Sequence, residues 1–123
     1  MIKRCHEDNA LVRAALSRPG SGRVLVVDGE GSLRTALLGD VLASLGAGNG
    51  WAGVIIHGAV RDVARLREID FGVAALGSNP HRSRKAGTGT TGEPVSFGGV
   101  MFTPGDTVHV DEDGVALVPR EAS

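Results

Sequence analysis

Three stretches decide the fold: Arg23-Val24-Leu25-Val26-Val27-Asp28-Gly29, Ala52-Gly53-Val54-Ile55-Ile56-His57-Gly58-Ala59-Val60-Arg61-Asp62, and Phe71-Gly72-Val73-Ala74-Ala75-Leu76. Each is a continuous apolar run rather than an alternation, so each reads as a strand buried on both faces. Between the first two, Thr35-Ala36-Leu37-Leu38 is a short apolar run that stops at Gly39-Asp40. Val41 to Gly48 then has helical spacing (Val41, Leu42, Leu45), with Asp40 placed as N-cap and Asn49-Gly50 as the stop. Asp62 to Ile69 is helical again through Val63, Leu66 and Ile69. Strand and helix alternate, which predicts an α/β core with parallel pairing.

Outward from this core, His6 to Ser17 carries an apolar stripe (Ala10, Leu11, Ala14, Ala15, Leu16) and ends at Pro19-Gly20, predicting a helix. Glu7, Asp8 and Asn9 then read as the acids and amide that favour a helix start. Met1 to Cys5 leaves room ahead of it for one short strand, and Cys5 reads as a small buried hydrophobe. Downstream, Gly77 to Glu93 has no apolar periodicity and reads as a long loop. Pro94 to Phe102, Thr107 to Val110 and Val115 to Val118 read as short antiparallel strands, with Asp106, Asp111 and Asp113 in turn contexts.

Composition narrows the function. The chain has 123 residues, 41% hydrophobic and 22% charged, with Lys+Arg 13 against Asp+Glu 14 and a net charge of −1. A chain of this length buries roughly 60 to 70% of its unfolded surface, enough for a core without disulfide or structural metal. Near-neutral charge argues against holding nucleic acid by phosphate neutralisation. Only 3% of residues are aromatic, which makes stacking on bases or sugars a poor basis for recognition, while 19 glycines point to close backbone approach. No apolar run approaches the ~20 residues of a membrane span and no signal peptide opens the chain, so the expectation is a cytoplasmic protein without membrane contact.

Asp40 and Asp62 occupy equivalent places, each where a strand hands over to a helix, and Arg61 precedes the second. In a parallel sheet the carboxyl ends of the strands share one edge, where ligands bind. There the amides of Val41 and Leu42 would be free to take a carboxylate, Arg61 adds a planar fork, and the two aspartates are hard oxygen ligands of the kind Mg²⁺ accepts. Together they describe a site for a small 2-oxo acid. An Asp at a helix start is first of all a cap contributing roughly 0.5 to 2 kcal/mol, and Arg61-Asp62 alone decides nothing. His57 reads as satisfied by neighbouring backbone. His81, Arg82, Arg84 and Lys85 offer charge for an anionic substrate or RNA but read rather as a solvated loop, and Gly77, Ser78 and Asn79 as residues lining the cleft at a strand's carboxyl end.

Gly39-Asp40, twenty residues, then Arg61-Asp62 resembles the Asp-x20-Arg-Asp signature of the family that joins regulators of ribonuclease activity A to class II 4-hydroxy-4-methyl-2-oxoglutarate aldolases. The surrounding blocks are similar too: His6 to Leu11, Gly22 to Gly29, Gly50 to Gly53, His57 to Asp62, Val95 to Val100, Pro104 to Asp106 and Asp113-Gly114. The resemblance runs from about Ile2 to Pro119. It implies a swivelling α/β/β sandwich, with a central parallel or mixed sheet and C-terminal antiparallel strands, assembled as a homotrimer or pair of trimers with sites between subunits.

It further implies Asp62 binding Mg²⁺ or Mn²⁺ directly, Asp40 through a water, Arg61 on the substrate, and Gly39 to Leu42 around its pyruvyl carboxylate. The implied activity is carbon–carbon lyase chemistry on 2-oxo acids, oxaloacetate decarboxylation first and aldol cleavage second. The expectation is one domain over 1–123 lacking the family's opening helix and Gly-rich strand, as a truncated reading frame would. The chain stops at Ser123, before the acidic C-terminal extension of dedicated aldolases, which favours decarboxylation. Members that inhibit ribonuclease E offer the other reading, a non-enzymatic regulator. A methyltransferase arrangement, with a Gly-rich loop and a following acid, is not visible.

Overall fold

In a computed structural model, which describes residues 1–83, 85–97, 100–105, 107–111 and 114–118, the three decisive runs form the centre of one sheet. These strands are β2 (Val24–Asp28), β4 (Gly53–Val60) and β5 (Gly72–Ser78). β4 lies between the other two and pairs parallel with both, Val24 opposite Gly53 and Gly53 opposite Gly72. β1 (Ile2–Arg4) adds to the far side of β2, again parallel. β3 (Ala36–Leu38) continues the sheet beyond the end of β2, pairing with Ala59 and Val60 at the carboxyl end of β4. Registers shift between Ile56 and Ala59, so the sheet is irregular around His57-Gly58.

Burial on both faces explains why the strands read as continuous apolar runs. One face carries Leu25, Val27, Val54 and Ile56 and packs against three helices: α1 (Ala10–Leu16), α2 (Asp40–Gly48) and α3 (Val63–Leu66). Their contributions are Val12, Ala15, Leu16, Leu42, Ala43 and Leu66. The opposite face, Ile2, Val26 and Ile55, is closed by Val95 and Phe102 from the antiparallel hairpin that follows the sheet. Helices, sheet and hairpin make three layers, the α/β/β sandwich expected. Trp51 leads into β4 at 3% exposure; its indole N–H donates to the Arg18 carbonyl at 2.8 Å and the Arg23 guanidinium lies 5.1 Å over its ring. Cys5 is buried as expected, and burial, with Asp8, Asp28 and Glu30 nearby, pushes its thiol up to about 12.

Four expectations need correction. The first helix does not start at His6: Glu7 has φ +52°, which a right-handed helix cannot contain, and α1 covers Ala10–Leu16 only. Asp40 is not an N-cap; Gly39 takes that position and Asp40 is the first helical residue. The helix after Asp62 is one turn, Val63–Leu66, rather than reaching Ile69. The stretch from Gly77 is not structureless throughout. β5 runs to Ser78, Arg82 bridges to Ala36, and β6 (Thr90–Thr91) pairs antiparallel with β1.

The late strands agree with the reading. They are β7 (Val95–Phe97), β8 (Val100–Phe102), β9 (Thr107–Asp111) and β10 (Gly114–Val118), paired as two hairpins. Asp111 ends β9, while Asp106, Asp113 and Arg84 lie outside the described residues. Among the described residues no helix is long and apolar enough to cross a membrane.

Candidate functional site

Parallel pairing of β3, β4 and β5 brings the starts of α2 and α3 to the same sheet edge, and with them residues 22 positions apart. The Asp40 amide faces Asp62 Oδ2 at 3.5 Å. Arg61 Nη1 donates to the same oxygen at 3.1 Å, with Arg61 and Asp62 both about a quarter to a third exposed. Neither aspartate caps a helix with its side chain, so neither carboxylate is consumed by the bland role that sequence gave it.

Asp62 sits at φ +58°, ψ +40°, a left-handed conformation that Asp tolerates better than most residues but that still carries strain, of a kind found at functional sites. The strain aims Asp62 back across the cleft toward α2. Asp40 Oδ2 accepts from Arg65 Nη1 at 3.1 Å. That hydrogen bond lowers the Asp40 pKa below the usual carboxylate value; burial opposes it, and contact with the Asp62 carboxyl lowers it further.

Gly39 is required by contact rather than by backbone angle. A Cβ there would stand 2.8 Å from Arg61 Nε, 2.9 Å from Cζ and 3.0 Å from Cγ, so the absent side chain is the bed on which the guanidinium lies. The α2 start also leaves its first amides directed outward, as helix geometry demands. Val41 is 61% exposed there, and Leu42 turns its side chain into the core at 6%.

Two openings meet at Arg61. One, of about 260 Å³, is lined by Arg61, Asp62, Val63, Ser78, Asn79 and Pro80. The other, of about 180 Å³, is lined by Gly39, Val41, Leu42, Arg61, Arg82 and Lys85, among others. The structure therefore brings Gly39, Asp40, Val41, Leu42, Arg61 and Asp62 together, with Ser78 and Asn79 beside them. Gly77 lies one residue further back, along a neighbouring apolar groove under α3.

Some residues at the site were not singled out for it in the sequence. Arg65 was passed over, though its place one helical turn beyond Asp62 was the available signal. Arg82 and Lys85, which the sequence offered for an anionic substrate but reads as a solvated loop, are exposed as such a loop requires, yet the return of the chain over β3 makes them line the cleft. His57 is not satisfied by backbone. Its Nδ1 is 3.2 Å from Asp28 Oδ1 and its ring stacks on Phe97 at 4.7 Å, on the same strand β4 that leads into Arg61-Asp62.

Asp40 and Asp62 are a like-charged pair of hard oxygen donors in contact with each other and both partly exposed, Asp62 on the larger opening. A divalent cation suits that donor set: it removes the repulsion and, with two carboxylates only, retains several waters, as Mg²⁺ does.

Relatives share this arrangement of chain. The fold is that of an RNA-processing inhibitor RraA from Thermus thermophilis, with TM-score 0.95 and 50% identity over 99% of this chain and 74% of that one. A structure named S-adenosylmethionine: 2-dimethylmenaquinone methyltransferase from Geobacillus kaustophilus HTA426 matches with TM-score 0.94 and 46% identity, covering 98% of this chain and 75% of the other. RraAS2 of Streptomyces coelicolor, named as a member of the RNase ES inhibitor RraA family, matches at 0.77 and 35% over 96% and 63%. With the profile of the family described as RraA-like, Aldolase/RraA, matching residues 2–117, the chain belongs to the RraA-like family.

Proposed function

We propose that this protein is a divalent-metal-dependent carbon–carbon lyase acting on 2-oxo acids, with oxaloacetate decarboxylation as its first reaction and 4-hydroxy-4-methyl-2-oxoglutarate cleavage as its second. The observation that carries the reading is the meeting of Asp40 and Asp62 at one sheet edge, with Arg61 hydrogen-bonded to Asp62 and bedded on Gly39. Asp62 would hold Mg²⁺ or Mn²⁺ directly and Asp40 through a water. When bound, the ion supplies Lewis-acid stabilisation of the negative charge that collects on the 2-oxo oxygen as a carbon–carbon bond breaks.

The rest is done by the chain. The outward amides of Val41 and Leu42, at the positive end of α2, accept the carboxylate next to the oxo group. Arg61, held in place from below by Gly39 and from the side by Asp62, keeps its fork on the substrate and fixes the angle at which the scissile bond stands. Arg65 steadies Asp40 as the ionised form. Oxaloacetate asks least of such a site. The electrons of the C3–C4 bond move toward the oxo group, CO₂ leaves, and C3 later takes a proton; aldol cleavage also needs a base for the hydroxyl proton.

A homotrimer or a pair of trimers, with clefts shared between subunits, belongs to the same proposal. Val41, Val63 and Leu76, exposed at 61%, 38% and 56%, offer apolar surface for it to bury. The test is pyruvate formation from oxaloacetate with Mg²⁺, against excess EDTA, against Asp62→Asn and against metal alone. Turnover above the metal background that both changes abolish supports the lyase; a rate equal to free Mg²⁺ in folded protein overturns it.

The names of the Thermus and Streptomyces relatives favour one second reading, inhibition of ribonuclease E by direct protein contact. A pull-down with ribonuclease E separates the two, since Asp62→Asn removes lyase turnover without touching such an interface.

A further inference from the structure

Asp8 is fully buried, at 0% exposure, and its carboxylate is crowded with donors from a segment about eighty residues away. The Ala86 amide donates to Oδ2 at 2.9 Å, Gly87 to Oδ2 at 3.1 Å and Oδ1 at 3.2 Å, and the Thr88 hydroxyl to Oδ2 at 3.1 Å, with the Thr88 amide at 3.5 Å. The Ala10 amide adds a local bond at 3.0 Å. Burial alone would favour the neutral acid; the donors outweigh it and hold the group ionised.

The same segment is fastened at its other end. The Ala36 amide donates to the His81 carbonyl at 2.8 Å, Ser83 Oγ donates to the Ala36 carbonyl at 2.7 Å and lies 2.9 Å from Thr35 Oγ1, and Asn79 Nδ2 reaches the Leu33 carbonyl at 2.9 Å. Between these two anchorages stand Arg82 and Lys85. Both line the 180 Å³ cleft with Arg13, Arg61, Gly39, Val41 and Leu42, and none of the described residues lining that cleft is acidic. A fixed, strongly cationic wall opposite the carboxylate-binding amides is not explained by a merely solvated loop.

We propose that residues 79–83 and 85–88 form a specificity arm pinned at both ends, in which Asp8 is the positioning residue and Arg82 and Lys85 take a second carboxylate of the 2-oxo acid. This rests on the 2-oxo acid reading of the site. The arm selects dicarboxylates over monocarboxylates because only a dicarboxylate brings a second anion to the two cations that line the cleft.

The test is calorimetric titration of folded protein, with Mg²⁺ present, by 2-oxoglutarate and by pyruvate. Wild type binds the dicarboxylate roughly tenfold or more tightly than pyruvate, the scale of one charge-assisted contact. Arg82→Ala with Lys85→Ala, both at exposed positions, brings that ratio to about one. Asp8→Asn keeps the shape but turns an N–H₂ toward the donors of Ala86 to Thr88, and it collapses the ratio in the same way. A merely structural Asp8 would instead weaken both ligands equally or only lower the melting temperature. Binding of both ligands with a ratio untouched by Arg82→Ala and Lys85→Ala overturns the arm and leaves the 2-oxo acid reading standing. No binding of either ligand by wild type removes that reading and the arm with it.

Discussion

Gly39→Ala isolates the positioning of Arg61 from everything else at the site. The new methyl would stand 2.8 Å from Arg61 Nε, and ordinary contact begins near 3.4 Å, so the guanidinium must retreat by about 0.6 Å. Because Arg61 is a flexible side chain about a quarter exposed, and Gly39 has φ −131°, which alanine adopts freely, the fold itself is hardly taxed. We expect a stability change within about 1 kcal/mol, the range for surface substitutions free of core strain.

Catalysis is less tolerant. A shift of that size breaks the 3.1 Å bond to Asp62 and moves the substrate's anchor by a large part of an ångström, for which a loss of about 10²-fold is typical, or roughly 2.7 kcal/mol of barrier. The assay is oxaloacetate turnover above the metal background, run beside a thermal melt of the same sample. Unchanged turnover in the Ala variant would refute the claim that Gly39 serves Arg61. A melt lowered by more than about 10 °C would refute the claim that the contact is local.

Other expectations follow from single contacts. Cys5, with its thiol pushed up to about 12 by burial and nearby carboxylates, stays unlabelled by iodoacetamide at pH 8 in native protein and reacts once denaturant is added; native labelling at the denatured rate would contradict this. Its donors hold the Asp8 carboxyl below the usual carboxylate range, so it contributes stability that is fully present above that range and lost as pH falls through the folded value. Stability measured as pH falls below about 4 should thus decline less steeply in Asp8→Asn than in wild type. Trp51→Phe removes the indole donor to the Arg18 carbonyl, which stands at an exposed residue open to water, at a cost of about 0.5 to 1.5 kcal/mol in urea unfolding.

Local chemistry made the sheet legible. Val24 to Val27 and Val54 to Ile56 announce strands buried on both faces, and the three layers supply the two apolar partners such strands need. The site was legible to the extent that it follows from that sheet, since Asp40 and Asp62 must share an edge once β3 and β4 run parallel. What stayed hidden was long-range. Asp8 looks like a helix-start acid because Asn9 and Ala10 follow it, but its partners are 78 to 80 residues away. His57 looks like a strand residue with backbone for company, yet its neighbours are Asp28 on the next strand and Phe97 on the hairpin. No spacing rule reaches across such distances.

The two anchorages of the specificity arm differ in kind, and this bears on how the site answers to pH. On the β3 side the contacts are neutral, from Ser83, Asn79 and backbone, so they persist at any pH the fold survives. On the Asp8 side every contact depends on one carboxylate remaining ionised. Protonating Asp8 would convert an acceptor into a donor facing amides, freeing residues 86–88 while 79–83 stay in place. Lys85 lies on the freed side and Arg82 on the fixed one. Acidification should therefore weaken the dicarboxylate preference before it unfolds the protein, and Lys85→Ala should already lack that acid-sensitive part. If the preference in wild type instead falls only in step with the loss of folded protein, the arm is held by its β3 contacts and Asp8 does not govern it.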